Sequence, residues 1–70
     1  MNKQELIALG SLIREKRESQ ELTQIELAEK ANVDRNYIGM VERGERNPSY
    51  LSLLKIATAL GMPVYKMLKP

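Results

Sequence analysis

An all-α, single-domain fold follows from three features of this 70-residue chain. Val occurs only at positions 33, 41 and 64, and Phe and Trp are absent, so no segment carries the alternating β-branched and aromatic pattern of a strand. Leu, Ile and Ala recur instead at three- and four-residue spacing, which is the mark of amphipathic helices. Between these stripes, Thr, Asp, Asn, Ser and Gly stand where helices begin and end. A chain of this length buries about 60% of its unfolded surface, enough for one core. No Pro/Gly/Ser linker divides it, and residues 1–70 are expected to form a single compact domain.

Five helices are expected. Leu6, Leu9 and Leu12/Ile13, followed by the charged run Arg14 to Glu18, place helix 1 at 4–19. Thr23 is a predicted N-cap, Glu26 closes a capping box three residues on, and Leu22 with Leu27 form a hydrophobic staple. Helix 2 therefore covers 24–31. Asn32 tolerates the left-handed conformation, Val33 is an apolar anchor, and Asp34 caps a third helix over 35–43, closed by Gly44. Asn47-Pro48-Ser49 turns the chain into helix 4, where Leu53, Ile56, Ala57 and Leu60 repeat over 50–60 up to Gly61. Pro63 at a first-turn position starts helix 5 over 63–68.

Composition excludes more functions than it proposes. His and Cys are both absent, which removes disulfides, imidazole and thiolate metal sites, and every triad with a histidine base. There are no paired carboxylates in an apolar setting and no Gly-rich phosphate loop, so neither catalysis, a cofactor nor a metal is expected. No apolar run approaches the roughly 18 residues of a membrane span. The N-terminus lacks the layout of a secretory signal, and a cytoplasmic protein is the expectation. The net charge of +2 conceals a gradient. Residues 1–34 carry net −2, whereas six basic groups (Arg35, Arg43, Arg46, Lys55, Lys66, Lys69) face only Glu42 and Glu45 in the remainder. Such polarity suggests a polyanion-binding side.

Two helices of roughly eight residues joined by a three-residue turn are too short to be stable alone. They match the helix-turn-helix unit, whose second helix enters the major groove of DNA. On helix 3, Ile38, Val41 and Glu42 share one face, expected to turn inward, and Arg35, Asn36, Gly39, Met40 and Arg43 occupy the other. The outward set suits base reading: Arg pairs with guanine O6/N7, Asn with adenine N6/N7, and Met contacts a thymine methyl. Taken alone, the same face reads as a solvated polar surface. Gly39 reads either as close approach to DNA or as a small residue tolerated on an exposed face.

The string from Leu22 to Pro48, LTQIELAEKANVDRNYIGMVERGERNP, resembles the helix-turn-helix core of the lambda-repressor-like (Cro/repressor type) regulators of bacteria and phages. Weaker likeness extends to Ile13-Arg14 and Arg17 before it and to Ser49, Leu53 to Ala57 and Ala59 to Gly61 after it. Within the family, ERGERNP and Asp34 to Ile38 look most like controller proteins of restriction-modification systems. The resemblance implies that Gln24 touches phosphate and braces helix 3. It implies that Arg35 and Asn36 meet base edges, with Met40 one turn on, and that Tyr37, Arg43, Arg46 and Asn47 grip the DNA backbone. It also implies an architectural ion pair between Arg17 and Glu42.

Departures from that pattern are informative. Glu21 stands where a helix-ending Gly is usual, Asn32 replaces the turn Gly, and Met62 replaces a Ser or Thr cap. Leu51 and Tyr65 are apolar or aromatic where the family is commonly charged, and they could join Tyr50, Leu54, Val64 and Met67 in an exposed patch. Such patches mark interfaces. The resemblance implies a homodimer that spaces two recognition helices about 34 Å apart on a roughly palindromic site in double-stranded DNA. The expected function is a sequence-specific transcriptional regulator; the alternative is an antitoxin or adaptor that uses the same fold mainly to bind protein.

Overall fold

The structure, a computed structural model, describes residues 1–68; Lys69 and Pro70, at the end of the expected domain, lie outside the described residues. In chain order the elements are α1 (Lys3–Ser19), α2 (Gln24–Ala31), α3 (Arg35–Glu42), α4 (Tyr50–Leu60) and α5 (Tyr65–Leu68). The starts follow from capping chemistry. Thr23 accepts a hydrogen bond from the Glu26 amide at 3.0 Å while the Glu26 carboxylate accepts from the Thr23 amide at 2.8 Å, which satisfies two orphan donors at once. Asn2 and Glu5 form the same reciprocal box one helix earlier, so α1 starts a residue ahead of the expected position. Asp34 and Ser49 cap α3 and α4 through the amides of Asn36 and Ser52.

The ends are set by left-handed residues. Gly44 and Gly61 close α3 and α4 at φ 73° and 71°, and α3 stops at Glu42 with Arg43 as its C-cap, one residue short of expectation. Asn32 (φ 58°) makes the turn from α2 to α3, where the Val33 amide reaches back to the Ala28 carbonyl at 2.9 Å. Glu21 takes φ 59°, so the absence of Gly does not remove the turn after α1 but places a side chain in a disfavoured conformation. Helix 5 is shorter than expected. Pro63 and Val64 form a turn before it, because the amides of Lys66 and Met67 bond only three residues back, to the carbonyls of Pro63 and Val64.

Every side of the core receives one stripe. Ile13 from α1, Leu27 from α2, Ile38 and Val41 from α3, and Ile56 from α4 are fully buried and in one cluster. Helix α3 packs against both α1 and α2, and α4 covers the other side of α2. At Gly10 the first and third helices approach so closely that a Cβ there would overlap the carbonyl oxygens of both Val41 and Glu42. The short α5 packs on α1. Met67 belongs to the core at 3% exposure, which corrects its expected place in the exposed patch: the only turn of α5 must direct one apolar side chain inward to be held at all.

Candidate nucleic-acid interface

Helix α3 is anchored from behind. Arg17 of α1 donates from Nε to Glu42 Oε2 at 2.7 Å and from Nη2 to Glu42 Oε1 at 3.0 Å, and its Nη1 donates to the Leu22 carbonyl at 2.8 Å. Gln24 Nε2 donates to the same Glu42 Oε1 at 3.1 Å. Donating to both oxygens of Glu42 raises the Arg17 guanidinium further above its already high range, against the opposing effect of burial. One carboxylate thus joins α1, α2 and α3, and Arg17 ties the α1–α2 turn to it through the Leu22 carbonyl. Because both charges are almost wholly withdrawn from solvent, with side chains 10% and 2% exposed, the fork geometry of the guanidinium is what makes the pair tolerable.

With Ile38, Val41 and Glu42 turned inward, α3 presents Arg35 and Asn36 to solvent at its first turn. Met40 is half-buried one turn later, and Arg46 and Asn47 are exposed in the following loop. The Arg46 guanidinium carbon sits 5.6 Å from the centroid of the Tyr37 ring, within range of a cation–π contact that leaves the charge facing outward. Arg43 is exposed and donates from Nε to Glu45 at 3.0 Å. That hydrogen bond, reinforced by the neighbouring charge, holds the Glu45 carboxyl below the usual carboxylate range. Lys3 donates to the Gly44 carbonyl at 3.1 Å, which ties the start of α1 to the loop after α3.

Gly39 departs from its expected exposure. It lies on the outward side of α3 but is buried, because the Arg43 side chain folds back over it and Gln24 reaches it from α2. A Cβ built there would stand 3.0 Å from Arg43 Nη1 and 3.5 Å from Gln24 Oε1. Among the other expected patch residues, Tyr50, Leu51 and Tyr65 are exposed at 62%, 61% and 65%, and Leu54 at 38%. Val64 is half-buried against the core. Three contributors to this arrangement went unread in the sequence. Gly10 carries no motif, Glu45 stands within the ERGERNP run without a role of its own there, and Gln20, whose amide donates to the Leu60 carbonyl at 2.7 Å, resembles any exposed polar residue.

A short helix capped at its N-terminus, braced across a left-handed turn by its predecessor and offering polar side chains outward, is a helix-turn-helix DNA-binding unit. The chain belongs to the helix-turn-helix family, whose model matches residues 13–66, and within it to the lambda-repressor-like type of transcriptional regulator. It is 43% identical over 58 residues to the immunity repressor protein of Bacillus phage phi105, covering 83% of this chain but 40% of the repressor's length. It is 42% identical over 60 residues to the control protein C.SmaI of Serratia marcescens, covering 86% of this chain and 71% of that protein. The fold superposes on the restriction-modification controller protein C.AhdI from Aeromonas hydrophila with a TM-score of 0.86 at 42% identity, over 89% of this chain and 94% of that one. It superposes on the biofilm master regulator SinR, solved in complex with DNA, with a TM-score of 0.83 at 34% identity, over 87% and 98% of the two chains.

Proposed function

We propose that this protein is a sequence-specific regulator that binds a roughly palindromic site in double-stranded DNA as a homodimer, in the manner of a restriction-modification controller protein. The observation that carries this reading is the outward face of α3, where Arg35 and Asn36 are exposed at the N-terminal turn of a helix locked from behind by Arg17, Glu42 and Gln24. Side chains aimed at base edges discriminate only when the element that bears them is rigid, and this one is held by a buried network.

Arg35 and Asn36 are the proposed base readers, with Met40 supplying apolar contact beside them. Gln24, Tyr37, Arg43, Arg46 and Asn47 flank that strip and would set the register on the phosphates. Gly39 acts beneath them by admitting the Arg43 side chain, not by touching DNA. The two-fold contact is assigned to Tyr50, Leu51, Leu54 and Tyr65, with Val64 at the edge; Met67 has no part in it.

Selection of bound sequences from a random duplex pool tests the reading. A two-fold symmetric consensus is expected, with affinity that falls steeply as salt rises, because phosphate neutralisation releases counterions. Arg35→Ala should weaken binding by about 1–3 kcal/mol and relax preference at one position in each half-site. Equal losses on cognate and random DNA would remove Arg35 from the base-reading set. Absence of any duplex binding would favour a protein-binding adaptor on the same fold.

A further inference from the structure

Residues from Arg35 to the end of the chain include two carboxylates, Glu42 and Glu45. Glu42 is buried and committed to Arg17 and Gln24. Among the described residues, Glu45 is therefore the one solvent-facing side-chain carboxylate from Arg35 onward. It lies in the loop directly after α3, between Arg43 and Arg46, where a carboxylate opposes any polyanion. Its partner is the exposed Arg43, held at 3.0 Å with side chains 57% and 51% exposed. The other side of the Arg43 guanidinium lies over Gly39, whose missing Cβ leaves it room. Arg43 is thus folded along the outward face of α3 with its Nε committed to a carboxylate oxygen.

A carboxylate and a phosphate offer a guanidinium the same chemistry, an anionic oxygen that accepts from N–H. We infer that Glu45 competes with DNA phosphate for the Arg43 guanidinium, and so sets the protein's overall affinity for duplex without altering its sequence preference. This rests on the DNA-binding reading above. When duplex approaches, Arg43 Nε exchanges one anionic acceptor for another. The gain from the new contact is reduced by the contact given up, and Glu45, left without its partner, repels the backbone. Both effects act on phosphate, which is the same in every sequence, so cognate and random DNA are weakened alike. Lys3, whose ammonium is tied to the Gly44 carbonyl, is the other cation whose charge acts on Glu45, while Arg46, next in the loop, lies over the Tyr37 ring. Neither is hydrogen-bonded to Glu45.

The test is a double-mutant cycle on Arg43→Ala and Glu45→Gln, read by fluorescence anisotropy with a labelled random-sequence duplex and with a duplex recovered by selection. Glu45→Gln keeps the shape of the side chain and removes its charge. It should tighten binding about two- to fivefold on both duplexes, the range of an exposed ion pair. The gain should be clearly smaller in the Arg43→Ala background, where only the repulsion of the backbone by Glu45 is left to remove. In the free chain, the side-chain Nε–H resonance of Arg43 should shift in Glu45→Gln. Unchanged or weaker binding by Glu45→Gln overturns the inference while leaving DNA binding intact. An equal gain with and without Arg43 reduces Glu45 to simple repulsion and overturns the competition. If neither the wild-type chain nor any variant binds duplex, the DNA-binding reading fails and this inference falls with it.

Discussion

Removing Arg17 should come close to unfolding the protein. Arg17→Ala deletes two short hydrogen bonds to Glu42 and one to the Leu22 carbonyl, at 2.7, 3.0 and 2.8 Å. It strands a carboxylate whose side chain is 2% exposed, with only Gln24 Nε2 still donating to it. Breaking one partner out of a buried pair costs about 3–5 kcal/mol. The surviving Gln24 bond and the entropy regained by a truncated side chain place this site near the lower end, about 3 kcal/mol. A 70-residue domain has roughly 4–10 kcal/mol of total stability, so roughly three-tenths or more is at stake. The midpoint should fall by roughly 12–24 °C. Thermal and urea unfolding followed by far-ultraviolet circular dichroism measure this, at one fixed protein concentration because the proposed self-association would raise the apparent stability. Arg17→Met combined with Glu42→Leu should recover most of the loss, since no charge is then buried. Stability of Arg17→Ala within about 1 kcal/mol of wild type would refute the argument, and would mean that Glu42 reaches water once its partner is gone.

Three further outcomes are expected. Gly10→Ala places a Cβ 2.4 Å from two carbonyl oxygens of α3; overpacking of about 1–3 kcal/mol outweighs the gain of about 1 kcal/mol in helix propensity, so urea unfolding should show a net loss. Glu21→Gly should stabilise by about 0.5–1 kcal/mol, because the φ of 59° at Glu21 is disfavoured for a side-chain-bearing residue and free for glycine; a lower thermal midpoint would contradict this. Leu51→Glu alters a residue that is 61% exposed in the protomer, so unfolding of the isolated chain should barely change. At micromolar concentration, sedimentation should convert a species of twice the chain mass into one of 8.0 kDa.

Capping chemistry was the most legible part of the fold. Thr23 with Glu26, Asp34 and Ser49 each act within three residues of their own position, and an interaction that local is written in the order of residues. The inward and outward faces of α3 were legible for the same reason, since 3.6-residue periodicity decides which side chains share a side. Helix 5 was not. Four residues are too few to define a stripe, and the burial of Met67 depended on where α1 lay. Gly39 was assigned to the correct side of α3 but not to its burial, because Arg43 and Gln24 cover it from the helix end and from another helix.

The sequence alone therefore settles the helix count, the three-residue turn, the capped start of α3 and the concentration of positive charge after residue 34. All are short-range consequences of spacing and residue type. Tertiary structure decides what the charges do. Glu42 and Glu45 are three residues apart and chemically identical, yet one is buried under Arg17 from a helix 25 residues away and the other stands in solvent against Arg43. Burial and pairing depend on which distant segments converge at a point. The packing of α1 across α3 at Gly10, which no local pattern encodes, turns one carboxylate into an anchor and leaves the other in solvent, paired only with Arg43.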